Sequence, residues 1–493
     1  MTLLSIRDLS VALPGGGPNV LQGLNLDLDP AAIVAVIGES GAGKTMLLRS
    51  ICGALPEGAR RSGSVLLRSG ARVVPVLQAP MAGLSPVRRI GAQIADAAAR
   101  DARDPGELLE ILGLPRDLVA RYPQELSGGM QVRAALARAL ASGAELILAD
   151  EPTAALDGPT ASSVLETLGA LRAAGRSVVI VTHDPALAAK VSDRIAVLRS
   201  GRLVETGPAA QVVAAPVHPY TRAIMLALPA RAGRLDALPG APATRLPARA
   251  PAADPVLALQ GVGLVRPKGP GLAGIDLNLH SGEVLALCGA SGSGKTTLAR
   301  IAARLDQPGS GSIVLDGQDI GTIPPARFSR DPRRSRVQMV FQDPADSFLP
   351  WQSVRQSICD PVAPDPGALA EACRGAGLDP ALLDRKPRAL SQGQLARAAL
   401  VRATVGHPQV LVLDEPTAAL DAPLQAGVLH YLDALRRAGM ALLLVTHDLH
   451  VARLLADRLI VLDAGRIVEA GPVAHLLAQP AHPATQALVA AMT

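Results

Sequence analysis

GESGAGKT at residues 38–45 and GASGSGKT at residues 289–296 are the stretches of this 493-residue chain that decide its fold. Each follows a short apolar run, 31–37 or 284–288, and each precedes a segment of helical character. A strand, a glycine-rich loop and a helix in this order form a phosphate-binding loop, in which backbone N–H groups and the helix N-terminus face the phosphates. The pattern predicts two α/β nucleotide-binding domains.

The two loops supply most of the residues that we expect to bind nucleotide. Lysine bridges the outer phosphates in such loops, and the hydroxyl that follows it ligates Mg²⁺. The candidates are Gly38, Ser40, Gly41, Gly43, Lys44 and Thr45 in the first loop, and Gly289, Ser291, Gly292, Gly294, Lys295, Thr296 and Thr297 in the second.

The rest of the chain repeats in the same order. LSGGM at 126–130 recurs as LSQGQ at 390–394, DEPTAALD at 150–157 recurs unchanged at 414–421, and VTHD at 181–184 recurs at 445–448. A repeat this long is a duplicated domain and not a solenoid. We expect a first domain at 1–228, a linker rich in proline and alanine at 229–255, and a second domain at 256–493.

The second copy is longer than the first. Its later motifs lie 264 residues after their counterparts, but its loop lysine lies only 251 residues after Lys44, so 13 residues are added between Lys295 and Gln342. The added stretch includes Gly311–Ile320 and the basic run 330–334. We interpret it as an enlarged peripheral β-arm or loop.

Acidic and histidine residues follow the other apolar runs of each copy. Such runs are typical of buried parallel strands, and ligands bind at the carboxyl ends of these strands. Asp150 and Asp414 suit the Mg²⁺ shell, and Glu151 and Glu415 suit polarisation of the attacking water. His183 and His447, each 32 residues after its glutamate, suit contact with the γ-phosphate. Structural acids and core histidines are the alternatives, but phosphoryl transfer needs this kind of positioning and charge neutralisation.

Composition narrows the class of protein. Hydrophobic residues make up 49% and aromatics 1%, the net charge of +5 is spread along the chain, and no uninterrupted apolar run reaches the roughly 18 residues of a membrane helix. We expect a protein that is cytosolic or bound to a membrane through partners. We expect no nucleic-acid binding, because no basic patch is interleaved with aromatics. The four cysteines are expected to be reduced, structural thiols.

The LSGG segments, with Gln78, Gln342, the acid pairs and the histidines, resemble the ABC transporter ATPase family over almost the whole chain. The resemblance implies two domains, each with a RecA-like α/β core, an antiparallel β subdomain and an α-helical subdomain, roughly 79–141 and 343–404. It also implies ATP and Mg²⁺ as ligands, with Gln78 and Gln342 near the metal.

The family sandwiches two ATP molecules between two domains that face each other. For this chain, the resemblance implies that Lys44 works with Ser391, Gln392 and Gly393. Lys295 would likewise work with Ser127, Gly128 and Gly129.

A narrower resemblance points to the oligopeptide, dipeptide and nickel importer branch. It is carried by residues 78–86, 122–130, 218–222 and 340–344, while 383–387 and 424–428 are similar to nickel-importer ATPases. It implies an energy-coupling subunit for peptides or a small solute such as nickel or a metal chelate. Its partners would be two permease subunits and, indirectly, an extracytoplasmic binding protein, at the cytoplasmic face of a bacterial inner membrane. The alternatives are an exporter ATPase and a soluble twin ATPase that acts on ribosomes or DNA; the short proline-rich linker and residues 218–222 disfavour the latter.

Three departures from the family pattern affect the expected sites. No aromatic residue precedes Tyr122 or lies between Tyr220 and Phe328, so adenine lacks an aromatic partner near either first strand. Gln392 replaces the first glycine of the second signature, which predicts a weaker site at Lys44. The linker has no cysteine, so we expect no iron–sulfur cluster.

Overall fold

The computed structural model describes residues 2–15, 17–39, 41–77, 80–98, 103–153, 156, 158–241, 254–265, 271–360, 363–418 and 420–492. Its contacts form two compact units, one of residues 1–156 and 160–225 and one that includes residues 226–493. Of the predicted site residues, Ser40 and Gln78 lie outside the described residues, as does part of the predicted linker, 242–253.

The first unit contains a parallel sheet with one antiparallel edge strand and a separate antiparallel sheet. The order in the six-stranded sheet is β5-β6-β7-β3-β8-β9, with β9 antiparallel, and the other sheet has the order β2-β1-β4. The strands are β1 Leu4–Ala12, β2 Leu21–Leu28, β3 Ile33–Ile37, β4 Arg60–Leu67, β5 Val73–Val76, β6 Leu146–Asp150, β7 Ser177–Thr182, β8 Arg194–Arg199 and β9 Arg202–Pro208.

Helices cover both faces of the parallel sheet in this unit. Alternate residues of one strand therefore enter two cores: Val178 and Ile180 pack in the core with α3–α6, while Val179 and Val181 pack with α1 and the antiparallel sheet. Burial on both faces explains the uninterrupted apolar runs in the sequence. The helices are α1 Lys44–Ile51, α2 Pro80–Gly83, α3 Ile90–Ala97, α4 Pro105–Ile111, α5 Gly128–Ala141, α6 Gly158–Ala173, α7 Pro185–Val191, α8 Ala209–Ala214 and α9 Pro219–Leu226.

The second unit repeats this architecture. Its sheets have the orders β15-β16-β17-β12-β18-β19 and β11-β10-β13-β14. The strands are β10 Leu257–Leu264, β11 Leu272–Leu279, β12 Val284–Cys288, β13 Ser310–Leu315, β14 Gln318–Asp319, β15 Val337–Val340, β16 Val410–Asp414, β17 Ala441–Val445, β18 Arg458–Asp463 and β19 Arg466–Pro472.

The helices of the second unit follow the order of the first, except that α11 lies in the added segment and a 3₁₀ turn, Pro344–Ser347, stands where the first unit has α2. They are α10 Lys295–Ala302, α11 Pro325–Phe328, α12 Val354–Cys359, α13 Pro366–Gly375, α14 Gln392–Thr404, α15 Ala422–Arg437, α16 Leu449–Leu455, α17 Val473–Ala478 and α18 Pro483–Ala490. The predicted fold class, a RecA-like core with a β subdomain and a helical subdomain in each copy, is confirmed.

The added residues of the second copy extend its antiparallel sheet, as the sequence predicted. They contribute β14, so that this sheet has four strands where the first unit has three, and they add α11. Phe328 is buried in the core of the second unit, and the buried guanidinium of Arg304 donates to the carbonyls of Gly321 and Ile323. A buried arginine matched by carbonyl acceptors anchors this segment to α10.

The first part of the predicted linker is packed against the second unit and is not a free extended chain. The Arg453 guanidinium donates to the carbonyl oxygens of Pro229 at 3.4 Å and Ala232 at 2.9 Å, and His430 Nε2 lies 3.3 Å from the Leu238 oxygen. Leu235 and Leu238 are buried. The regular structure of this segment is a single 3₁₀ turn, Leu235–Ala237. A turn this short produces no helical or strand pattern in the sequence.

Among the described residues, no helix is long and apolar enough to span a lipid bilayer.

The cysteines provide a test of the core of the second unit. Cys288, at the end of β12, is fully buried, and burial raises the pKa of its thiol to about 12. Because the thiolate is the reactive form, we expect iodoacetamide at pH 8 to label the partly exposed Cys52 and Cys359 and to spare Cys288 in the native protein. Peptide mass spectrometry after native labelling checks this, with urea-unfolded protein as the control; rapid native labelling of Cys288 would contradict the buried position.

Candidate nucleotide-binding and hydrolysis sites

The phosphate loop of the first unit joins β3 to α1 through glycines that have no room for a side chain. A Cβ atom on Gly38 would lie 2.1 Å from the carbonyl oxygen of Leu198, and one on Gly43 would lie 2.8 Å from that of Val20. Gly43 also caps α1 with φ of 104°, a conformation that favours glycine. The backbone can therefore curl tightly and present its N–H groups inward.

The second loop has the same geometry. A Cβ atom on Gly289 would lie 2.1 Å from the Leu462 carbonyl oxygen, and Gly294 caps α10 with φ of 107°. Thr45 and Thr296 lie in the first turns of α1 and α10, directly after the loop lysines, and Thr297 is buried on α10. The remaining loop glycines, Gly41 and Gly292, have φ of 85° and 79°.

Both loop lysines are held inside their own loops. Lys44 Nζ donates to the carbonyl oxygens of Gly38 at 2.7 Å and Glu39 at 2.9 Å. Lys295 Nζ donates to those of Gly289 at 2.8 Å and Ala290 at 2.9 Å. Each lysine side chain is thus buried, with its ammonium group inside the curve of its own phosphate loop.

The acid pairs stand at the carboxyl ends of β6 and β16. Glu151 and Glu415 have φ of 47° and 51°, a left-handed backbone that is rare for glutamate. A hydrogen bond from the backbone N–H of each glutamate holds this conformation, to Val181 O at 2.8 Å and to Val445 O at 3.0 Å. Such strain persists only where the surroundings enforce it, and it is concentrated at functional sites.

A hydrogen bond joins each glutamate to the histidine predicted from the sequence. Glu151 Oε2 lies 3.1 Å from His183 Nδ1, and Glu415 Oε1 lies 3.0 Å from His447 Nδ1. Burial by itself would raise the glutamate pKa, but the bonded histidine and the nearby loop lysine outweigh it, so the pKa values of Glu151 and Glu415 are lowered.

The histidines shift in the opposite direction. Burial by itself would lower the pKa of His183 and His447, but the bonded glutamate and the adjacent aspartate outweigh burial, so both pKa values are raised. Each pair therefore favours a carboxylate beside a protonated imidazole. Such a pair can bind anionic phosphate through the histidine and accept a hydrogen bond from water through the glutamate.

The aspartates of the acid pairs lie deeper than the glutamates. Burial raises the pKa of Asp150, and it raises the pKa of Asp414 to about 6, against the effect of a hydrogen bond with Thr45 or Thr296. A carboxylate and a hydroxyl are the hard oxygen ligands that Mg²⁺ prefers. A cation would also stabilise the buried carboxylate, so the donor set fits Mg²⁺.

Gln342 connects the site of the second unit to the loop that follows β15. Its Nε2 donates to Glu415 Oε2 at 3.3 Å. Gln342 thus contacts the carboxylate that we expect to polarise water. Its counterpart Gln78 lies outside the described residues.

The signature residues begin helices of the α-helical subdomains. Ser127 caps α5 and accepts from Met130 N, and Ser391 caps α14 and accepts from Gln394 N. Gly129 is buried, and a Cβ atom there would lie 2.1 Å from a methyl carbon of Thr160. Gly128 opens α5, while at the equivalent position Gln392 opens α14 with an exposed side chain; Gly393 is buried.

Tyr220 contacts the first phosphate loop, although in the sequence it is only one residue of the segment 218–222 that resembles the importer branch. Its hydroxyl accepts a hydrogen bond from the backbone N–H of Glu39, in the first phosphate loop, at 3.0 Å. The ring is buried, and the Arg199 guanidinium lies 4.8 Å from its centre. The second copy has Ala484 at this position. The HPYT motif at 218–221 was the available signal, but only the fold brings α9 to the loop.

These features define a twin ATPase in which each unit carries a phosphate loop, an acid pair and a histidine. Residues 21–154 and 272–418 match the family described as ABC transporter, and residues 204–251 match the oligopeptide/dipeptide transporter C-terminal region. The chain belongs to the ABC transporter family and is an ATPase.

Relatives of known name match almost end to end. The chain is 36% identical to the peptidoglycan transport ATP-binding protein YejF of Agrobacterium fabrum, over 99% of this chain and 96% of that one. It is 31% identical to the glutathione import ATP-binding protein GsiA of Salmonella choleraesuis, over 99% and 89%.

A solved structure supports the fold alone. The RNase-L Inhibitor structure is 19% identical, with a TM-score of 0.65 over 94% of this chain and 90% of that one.

Tyr220 provides a test of how the first loop is held. Tyr220→Phe removes the acceptor for the Glu39 N–H, and we expect ATP affinity at this loop to fall by about threefold to tenfold, the effect of one lost hydrogen bond. The measurement is ATP titration calorimetry in a Lys295→Ala background, where only the first loop binds tightly. Tyr431→Phe, which loses a 2.9 Å bond to Thr404 in the other unit, is the matched control. Equal affinities for Tyr220→Phe and the control would contradict this role.

Proposed function

We propose that this ATPase drives the uptake of peptides, or of small molecules that contain peptide bonds, through a membrane permease. The observation that carries the proposal is the match of residues 204–251 to the oligopeptide/dipeptide transporter C-terminal region. The named relatives support it, since peptidoglycan fragments and glutathione both contain peptide bonds. Nickel and metal chelates are less favoured, because only residues 383–387 and 424–428 point to them.

Hydrolysis rests on the glutamate–histidine pairs in this proposal. Glu151 and Glu415 orient the attacking water, and His183 and His447 bind the γ-phosphate as protonated donors. Lys44 and Lys295 leave their loop carbonyls to bind the outer phosphates. Asp150 with Thr45, and Asp414 with Thr296, would hold Mg²⁺, which would supply charge neutralisation on the phosphates.

Each ATP site is completed, in this proposal, by the signature segment of the other copy. Residues 391–393 would then complete the site of Lys44, and residues 127–129 that of Lys295. The pairing rests on the sequence resemblance. Fusion of both copies in one chain raises their effective concentration.

The permease contact is proposed to lie on the helical subdomains. Trp351 is 69% exposed and Leu349 is 44% exposed, nine and seven residues after Gln342, and Val87 occupies the position of Trp351 in the first copy with 81% exposure. Exposed apolar side chains that follow the candidate site glutamines closely in the sequence suit contact with cytoplasmic helices of two permease subunits. The protein would then act at the cytoplasmic face of the membrane, with an extracytoplasmic binding protein delivering the cargo.

A role on ribosomes is less favoured. The ribosome-bound archaeal Pelota and ABCE1 model has a TM-score of 0.67 but only 20% identity, so the likeness concerns the fold.

The first test removes both proposed catalytic carboxylates. Glu151→Gln with Glu415→Gln is expected to lower ATP turnover by about a hundredfold or more, the range for loss of general-base assistance, while ATP binding persists. The same double variant, replacing the wild type in its native cells, should abolish uptake of labelled tripeptides.

The control is Glu166→Gln, which changes an exposed glutamate outside the proposed sites and should leave ATP turnover unchanged. Undiminished turnover in the double variant would sink the catalytic assignment. Lost turnover with undiminished uptake of every peptide tested would instead sink the peptide-import assignment.

The second test concerns the unequal signature segments. Glu415→Gln leaves only the site of Lys44, completed by Gln392, and we expect it to retain less turnover than Glu151→Gln. Gln392→Gly in the Glu415→Gln background should raise ATP turnover, because it removes the glutamine side chain from the segment that we propose to contact ATP. The reciprocal control is Gly128→Gln in the Glu151→Gln background, which should lower it. Equal ATP turnover in Glu415→Gln and Glu151→Gln would contradict the proposed difference between the two sites.

A further inference from the structure

An arginine-lined cleft of about 380 Å³ lies in the second unit, and none of the residues that line it belongs to the proposed ATP sites. The added segment and the start of β15 contribute one wall, and the last turn of α14 contributes another through Arg402. The cleft is lined by the side chains of Ser329, Arg330, Arg334, Ser335, Gln338 and Arg402. The Ser329 and Ser335 hydroxyls donate to the Ala326 and Pro332 carbonyls, and Gln338 Nε2 donates to the Arg334 carbonyl, so the donors that face the cleft are chiefly the guanidinium groups.

The positive charge in this cleft is not balanced by the protein. Burial lowers the pKa of Arg402, and the positive charge of Arg334 lowers it further, so two like charges face each other. In the part of the chain that the structure describes, no carboxylate forms an ion pair or hydrogen bond with Arg330, Arg334 or Arg402. Arg402 Nε donates only to the Ser357 carbonyl oxygen, at 3.3 Å.

The one carboxylate that lines the cleft already has a partner. Asp331 accepts from Arg333 Nη2 at 2.7 Å, from Arg333 Nε at 2.8 Å and from the Arg333 backbone N–H at 2.9 Å. These bonds hold the pKa of Asp331 at about 2, so it remains ionised and committed to Arg333. The cleft keeps three guanidinium groups without an anionic partner among the described residues.

These groups suit a compact dianion with several oxygens. Three guanidinium groups offer more donors and more positive charge than one carboxylate can use, whereas phosphate has both the oxygens and the negative charge to match them. The C-terminal end of α14 opposes an anion with only about half a negative charge, which three arginines exceed. The lining contains no aromatic side chain on which a base could stack.

The first copy lacks this cleft chemistry and provides an internal control. Arg138 occupies the position of Arg402, but Gly70 stands where the second copy has Arg334, and Val74 stands where it has Gln338. The first copy thus has the same fold with uncharged residues at these two positions, so the fold by itself does not require the arginine cluster.

We propose that this cleft is a binding site for a phosphate group, separate from the two ATP sites. The phosphate can come from free inorganic phosphate or from a phosphomonoester such as the headgroup of phosphatidic acid. Because Arg402 lies on the helix that begins at Ser391, an occupied cleft would restrain the far end of the signature helix.

Phosphate binding is tested on the full chain at a saturating concentration of ADP. ADP then occupies both phosphate loops, so any phosphate that binds at these loops contributes equally to the signal of every variant. Titration calorimetry with inorganic phosphate should give a Kd that rises by at least about tenfold in Arg330→Ser with Arg334→Ser, because charge-assisted hydrogen bonds are lost. Arg138→Gln in the first copy should leave the Kd unchanged. Chloride at matched ionic strength is the control for screening.

Thermal melting shows whether the arginine variant is still folded. Without phosphate and at low salt, Arg330→Ser with Arg334→Ser should melt at or above the wild-type Tm, because like-charge repulsion is relieved; phosphate should raise the Tm of the wild type only. No phosphate binding by the wild type, an equal Kd in the arginine variant, or an equal effect of chloride would each overturn the proposal.

Two further probes identify the source of the phosphate. Vesicles of phosphatidylcholine with phosphatidic acid that bind the wild type but not the arginine variant would support the site and assign it to a lipid headgroup. Calorimetric binding of phosphate without vesicle binding would support the site and assign it to free phosphate. A hexaglutamate peptide that binds more tightly than phosphate, through the same arginines, would overturn the proposal in favour of a carboxylate partner.

Discussion

The close approach of one strand to the phosphate loop is the constraint on which each unit depends. The carbonyl oxygens of Leu198 and Leu462 lie where a Cβ atom on Gly38 or Gly289 would have to stand. The loop can therefore pass tightly over the sheet edge only as glycine, and this path directs the loop lysine back into the loop. The acid pair and histidine arrive at the same edge because parallel strands end there together.

The two sites are alike in chemistry and unequal in support. Each glutamate is held in a left-handed conformation and bonded to its histidine, with Glu151 and Glu415 at nearly the same φ. The first loop has the Tyr220 hydroxyl on its backbone, whereas the second copy has Ala484 there. In the signature segments, Gln392 stands where the first copy has Gly128. The duplicated domains have thus kept their reactive groups while the residues around those groups diverged.

The second unit also carries features that the first does not. Arg304 and Phe328 secure the added segment in the core, so this segment is part of the fold and can hold charged groups in fixed positions. Arg453 and His430 secure residues 229–238 on the same unit. Alanine and glutamate stand at the equivalent first-copy positions, 189 and 166. The second copy has therefore diverged through anchoring residues as well as through its loops.

The sequence by itself determined the fold class, the duplication, the phosphate loops and the acid and histidine candidates, because each depends on local chemistry: glycine where no Cβ fits, apolar runs where both faces of a strand are buried. It also predicted that the added residues form a β-arm or a loop. It could not show that Tyr220 reaches Glu39, that residues 229–238 pack on the second unit, or that Arg402 meets Arg334. Those contacts join residues far apart in the chain, so no spacing or periodicity marks them, and only the tertiary structure brings them together.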